Sequence, residues 1–238
     1  MKISLSCPKL SFNPLDAAIR AVAEKFEGME ILAEEEHDAS HIEQLKDIKP
    51  KIKLSIHAPF SDLNLASLKE EHRRYSIREI KRTILAAEKK GIKLVTFHPG
   101  WPSPFSLQAR ERVINNAKRS AEEISAFASS HNVTLCAENL PGFFSTAEEL
   151  LEITENICFD IGHANITKTI DSFLDNKKSI KNVHLHENHG VQDEHLPLTG
   201  EHINIECIVR ELGDKNYVIE ATSLEDGEKS REFLKRVK

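Results

Sequence analysis

No apolar run in this chain approaches the roughly 18 to 20 residues that a membrane-spanning helix requires, and that excludes a helical membrane span. The opening segment KISLSC is too short for the apolar region of a secretion signal, so a cytoplasmic location is expected. Cysteine is scarce: the four thiols, Cys7, Cys136, Cys158 and Cys207, show no CxxC spacing, which argues against a thiolate zinc site or a disulfide framework. Positive charge is also short. A formal net charge of −6 gives no overall field to draw in nucleic acid, although bound divalent ions would add local positive charge. No Pro-, Gly- or Ser-rich linker and no low-complexity segment divides the 238 residues, so residues 1–238 are read as one domain. The first loop, LSCPKLSFNP, lacks a GxGxxG fingerprint, which disfavours a dinucleotide-binding open sheet.

What is present is an alternation. Short apolar runs at Lys2–Ser6, Met29–Ala33, Ile52–His57, Ile92–His98, Val133–Glu138, Ile157–Asp160, Val183–His186 and Tyr217–Glu220 read as strands. Segments of helical period lie between them, at Asp16–Phe26, Ala39–Ile48, Leu68–Lys90, Leu107–His131, Thr146–Thr154, Ile170–Lys177, Ile205–Leu212 and Gly227–Val237. Asn13-Pro14 opens the first helix, Ser145 with Glu148 suggests a capping box, and Gly91 after Lys89-Lys90 reads as a helix end. Eight strand-helix units in this length predict an α/β fold, a single (β/α)8 TIM barrel with its active site at the C-terminal ends of the strands.

Those ends carry the chemistry. The strand-like runs finish on His57, His98, Glu138, Asp160 with His163, His184 with His186, and Glu220. Buried strands have little reason to stop on ionisable groups, because an unpaired charge out of water is costly. Imidazole and carboxylate at many strand ends therefore point to a shared metal, with zinc, manganese and iron all suited to such donors. Alternation along a strand puts His184 and His186 on one face and turns Glu187 away. Asp193 and His195 can chelate together if VQDEHLPL is extended. His72, His189 and His202 stand in polar surroundings and read as exposed, and His131 as a helix-end partner.

The segments HAPFSDLNLAS, FHPG, AENLPG, FDIGHAN, HLHEN, DEHLPLTGEHIN and IEAT resemble, in order and spacing, those of the endonuclease IV family, within the wider xylose-isomerase-like barrels. The resemblance spans Lys2 to Thr222. Members of that superfamily are metal-dependent barrels acting on abasic DNA or on sugars. The resemblance implies up to three zinc ions. His57, His98 and Glu138 would hold the first; Glu138 would bridge to a second held with Asp160, His184 and Glu220; His163, Asp193 and His195 would hold the third. Glu138 and Glu220 are the expected catalytic carboxylates, and His186, Phe60 and Trp101 the expected second layer or substrate surface. The implied activity is phosphodiester hydrolysis on the 5′ side of an abasic site. The alternative is a sugar or sugar-phosphate isomerase or epimerase, which needs one metal and proton-moving carboxylates.

The match is uneven at the rim. AEEEHDAS places Glu34, Glu35 and Glu36 where an arginine-bearing loop is expected, and carboxylates beside a phosphate path repel the backbone that supplies most DNA affinity. Phe60 stands where the family has tyrosine. The chain is also shorter than typical repair members, whose loops carry the DNA contacts.

Overall fold

In the computed structural model of the chain, which describes residues 3–46, 52–103 and 105–237, the apolar runs form eight parallel strands that close on one another in sequence order. They are β1 Ile3–Ser6, β2 Gly28–Leu32, β3 Lys53–His57, β4 Leu94–Phe97, β5 Thr134–Glu138, β6 Ile157–Asp160, β7 Ile180–Leu185 and β8 Asn216–Glu220. Ile3 to Ser6 lie in register with Tyr217 to Glu220, and this β1–β8 pairing turns a sheet into a barrel and excludes the open alternative. The expected (β/α)8 TIM barrel is the observed fold. Lys2, Asp47 and Ile48, the expected edges of the first strand and second helix, lie outside the described residues, as does Pro104 of the WPSP loop.

The surrounding helices are α1 Leu15–Ala23, α2 Ala39–Gln44, α3 Glu70–Lys90, α4 Arg110–Ser130, α5 Ala147–Leu151, α6 Ile161–Thr167, α7 Ile170–Asp175, α8 Ile205–Leu212 and α9 Leu224–Arg236. Helix α3 shows why they bind the barrel: Ile77, Ile80, Ile84 and Ala87 recur at helical spacing and are buried together. Each of these isoleucines contributes roughly 1.5–3 kcal/mol by leaving water. Leu5, Ile31, Ile56, Val95, Phe159 and Ile219 from the strands join the same core. Gly91 ends α3 in the left-handed conformation at φ 69°, as its position after two lysines leads one to expect. Among the described residues no helix is long and apolar enough to cross a membrane.

Two local expectations need correction. The cap of α5 is Thr146, whose hydroxyl accepts from the Glu149 N–H, while the Glu149 carboxylate accepts from the Ser145 N–H; the motif is displaced by one residue from the Ser145 and Glu148 pair. Glu148 instead accepts from Ser172 of α7 and from Asn176, which caps the end of that helix. Helix α6 was not expected either, because seven residues immediately after a strand are too few to show a helical period.

The middle of the barrel also departs from an apolar reading. Glu30 on β2, Ser55 on β3, Thr96 on β4 and Asn182 on β7 are buried and hydrogen-bonded to one another across the interior.

Candidate metal and substrate site

Strand register decides which ligating groups meet. Asp160 lies opposite His184, Glu138 opposite Cys158, and Glu220 opposite Ser6, so β5 to β8 deliver their terminal carboxylates and imidazoles to one level of the barrel. Glu138 is the hub. One of its oxygens lies 3.0 Å from His57 Nε2 and 3.4 Å from His98 Nε2, and the other 3.3 Å from His184 Nδ1 and 3.6 Å from His163 Nδ1. His184 Nδ1 also faces Glu220 at 3.1 Å and Asp160 at 3.9 Å.

A second gathering is built by α6. Asp160 caps that helix by accepting from the His163 N–H at 2.6 Å, which sets His163 one turn along and aims its ring toward the loop after β7. His163 Nδ1 donates to the Asn139 carbonyl at 2.8 Å, leaving Nε2 3.1 Å from Asp193. His195 Nε2 reaches the same Asp193 oxygen at 3.1 Å. The loop is not extended there, as the chelation reading supposed. His195 takes the left-handed conformation at φ 49°, a strained choice for this residue, and Leu196 then pairs back on Glu187. Glu187 does turn from the cluster, and its buried carboxylate accepts from Thr199 and the Gly200 N–H, anchoring the loop.

All nine expected ligand positions are thus brought together. His186 goes further than the second-layer place expected for it. Its fully buried Nε2 lies 3.2 Å from Asp160 and 3.5 Å from Asp193, between the two gatherings. Gly162 makes room for the ring, since a Cβ there would occupy the space of the imidazole itself. Gly162→Ala is therefore expected to displace His186 and to lower stability by about 1–3 kcal/mol, read by urea unfolding. An unchanged midpoint would show that the ring moves without cost.

The electrostatics follow from the crowding. Burial and the surrounding imidazoles act oppositely on Glu138; His184, His98 and His57 prevail and hold its carboxyl well below the usual range. For His163, burial lowers the pKa, but Asp160, Asp193 and Glu138 raise it to about 10. For His195, burial is likewise overcome by Asp193 and Glu220, and the value rises to about 9. His98 goes the other way, because burial outweighs Glu138. In the metal-free protein His163 and His195 stabilise the fold fully below about pH 6.5, their unfolded value, and the contribution is lost as pH rises through 9 and 10. Asp193, held low by these two imidazoles against its burial, stabilises above about pH 3.9 and loses that contribution as pH falls. Metal-free melting temperatures are accordingly expected to fall from pH 6 to pH 10. Added divalent metal should stabilise more at higher pH, since ligation displaces protons. Melting curves at several pH values, with and without chelator, check both; a metal-free profile flat across that window would contradict them.

The donor set has the chemistry of a divalent-ion site. His98 Nδ1, His184 Nδ1 and His186 Nδ1 are buried and make no hydrogen bond. His184 Nδ1 has three carboxylates within 3.9 Å and bonds to none, which suits a cation at their focus. Four carboxylates, Glu138, Asp160, Asp193 and Glu220, would otherwise repel one another over a few ångströms. The residues fit. Cys158 lies beside Glu138 and His184, but burial pushes its thiol well up, so it stays protonated.

Above the cluster is a cavity of about 210 Å³, lined by His57, His98, Glu138, His163, Asp193, His195 and Glu220 and walled by Leu32, Phe60 and Trp101. Phe60 packs on His98 at 4.8 Å between ring centroids and edge-on to His57, and Trp101 meets His98 edge-on at 5.8 Å. The acidic run divides. Glu34 turns inward and accepts from the Phe60 and Ser61 N–H groups, both at 2.8 Å, fixing the loop that presents Phe60, while Glu35 and Glu36 remain exposed.

One participant was not foreseen. Glu30, fully buried on β2, lies 2.7 Å from His184 Nε2. Its signal in the sequence is a lone carboxylate inside the apolar run GMEIL, visible but without a partner until the barrel closes.

The sequence profile of the xylose isomerase-like TIM barrels matches residues 19–237. An uncharacterized protein of Methanocaldococcus jannaschii is 31% identical, over 99% of this chain and 88% of its own length. A solved structure described as a D-tagatose 3-epimerase-like protein is 29% identical, with a TM-score of 0.87 over 100% of this chain and 97% of its own. A probable endonuclease 4 of Aquifex aeolicus is 26% identical, over 77% of this chain and 73% of its length. The chain belongs to the xylose isomerase-like TIM barrel family.

Proposed function

We propose that this protein is a divalent-metal-dependent isomerase or epimerase of a small sugar or sugar phosphate. The observation that carries this reading is the pair Glu138 and Glu220. They stand at the ends of β5 and β8, flank the same buried His184 within 3.3 Å, and both line the cavity of about 210 Å³. That volume lies below the roughly 300–1,000 Å³ of pockets for drug-sized ligands, and suits a monosaccharide better than an extruded nucleotide with its flanking backbone. Exposed Glu35 and Glu36 and the net charge of −6 weaken attraction for a polyanion. The resemblance in sequence and fold to the D-tagatose 3-epimerase-like protein supports the same reading.

His184, Asp160 and the two glutamates would hold the metal, which supplies polarisation of a substrate carbonyl. Phe60 and Trp101 give the sugar an apolar wall and keep water from the reacting carbon. Glu138, kept ionised by its imidazole neighbours, takes the proton from the carbon beside the carbonyl. For inversion Glu220, reaching in from β8, would begin as the carboxylic acid and give its proton to the other face, ending ionised while Glu138 ends protonated; exchange with solvent then restores both. Metal identity is proposed among zinc, manganese and iron, all of which accept imidazole and carboxylate.

A second reading is favoured by a specific observation. The gathering of His57 and His98 on Glu138, and that of His163 and His195 on Asp193, exceed what one metal needs. A three-metal phosphodiesterase acting at abasic DNA would use them, and the probable endonuclease 4 relative supports it. His195→Ala separates the two. Under the proposed reading, sugar turnover should stay within about tenfold of wild type, because His195 touches Glu220 only at 3.6 Å. A phosphodiesterase should instead lose on the order of 10³-fold. The deciding assay incubates metal-loaded protein with a panel of ketoses and their phosphates in heavy water, and in parallel with an abasic duplex. Deuterium entering the sugar supports the proposal; duplex cleavage with no exchange on any sugar overturns it.

A further inference from the structure

The barrel interior beneath the site holds a fully buried carboxylate in a place where carboxylates are rare. Glu30 has no solvent exposure, and an unpaired charge at such depth would be strongly destabilising. Every close group it meets is a donor. One oxygen takes His184 Nε2 at 2.7 Å; the other takes the Ser55 hydroxyl at 2.9 Å and the Asn182 amide at 2.9 Å.

The surroundings fix the direction of each bond. The Asn182 amide nitrogen lies 2.9 Å from Glu30 and from Thr96 Oγ1 and 3.1 Å from His184 Nε2; its two hydrogens go to the two nearer oxygens, and its own oxygen accepts from Asn216 at 2.6 Å. Asn216 in turn accepts from Lys53 Nζ at 2.5 Å, at the opposite end of the barrel from the site. A polar column therefore runs from Lys53 through Asn216 and Asn182 to Glu30, and stops at His184. Glu30 offers no hydrogen, so His184 must carry its proton on Nε2. That leaves Nδ1, which has no hydrogen bond, turned toward Glu138, Asp160 and Glu220. His57 and His163 are oriented more weakly, through the Ala58 and Asn139 carbonyls at 2.8 Å.

We infer that Glu30 is a positioning residue for metal binding: held by Ser55 and Asn182, it fixes the tautomer and ring plane of His184 so that Nδ1 is presented to the ion. The inference rests on the metal reading of the cluster. Outer-layer partners of this type set metal affinity by about 10- to 100-fold. The neutral isostere cannot substitute fully, because a glutamine turned to accept from His184 presents its own N–H groups to the Asn182 amide.

The test needs no substrate. Cobalt(II) is titrated into wild type and Glu30→Gln and followed by its visible absorption, with circular dichroism confirming the fold. One class of site should weaken by at least about tenfold in the variant, while the remaining cobalt binds as in wild type. Equal affinity in a folded variant overturns the inference. If the variant does not fold, wild type loaded with cadmium-113 decides: nitrogen coupling at His184 Nδ1 supports the inference, and coupling at Nε2 overturns it. Wild type that binds no metal at all would instead remove the proposed function.

Discussion

Glu138→Gln is expected to lower turnover by on the order of 10⁴-fold and to reduce bound metal, while the far-ultraviolet circular dichroism stays that of a folded barrel. Glu138 is the group on which the site converges, with His57, His98, His163 and His184 all within 3.6 Å of its two oxygens. Glutamine keeps the shape but loses the charge that those imidazoles require, and one side of its head presents N–H groups to nitrogen donors. The fold should persist because the side chain packs at the mouth of the barrel, clear of the aliphatic layer between strands and helices. Elemental analysis of the purified variant, with turnover measured at saturating metal, checks both parts. Turnover near the wild-type level would mean that Glu138 is neither the base nor a ligand.

Replacing the other carboxylate should give a different signature. Glu220→Gln is expected to slow epimer formation by about 10²- to 10⁴-fold, the usual size of a lost acid-base group, yet to spare much of the proton exchange at the starting sugar. The reason is positional. Glu138 belongs to β5 and Glu220 to β8, so each addresses its own face of a substrate in the cavity, and removing one leaves the other able to take and return a proton on its own side. Mass spectrometry in heavy water reads this directly, as deuterium appearing in unreacted sugar without conversion to the epimer. If exchange and conversion fall together by the same factor, a single carboxylate serves both faces and the two-glutamate assignment is wrong.

Much of this was legible beforehand because a parallel barrel has a simple grammar. Each strand must be short and apolar, each return must be a helix, and groups at strand ends share one face of the molecule. His57, Glu138, Asp160, His184 and Glu220 announce themselves because ionisable residues closing apolar runs demand a reason. The FDIGHAN motif marks His163, but its placement depends on a helix too short to be read from period. Asp193 and His195 are expected to meet along an extended segment; their side chains lie 3.1 Å apart, but a left-handed turn at His195 brings them there. Glu34 looked like part of a repulsive rim and is in fact tied to the loop that carries Phe60.

The sequence by itself determined the fold class, the level of the barrel at which the ionisable groups cluster and the residue types gathered there, because period and strand-end composition are local properties of the chain. Tertiary structure alone decided the partnerships. That Glu30 backs His184 across 154 positions of sequence, that His186 sits between Asp160 and Asp193, and that the enclosed space is about 210 Å³ all follow from barrel closure and register. Hydrogen bonds and cavities are made between elements, and no local pattern encodes which elements will face each other.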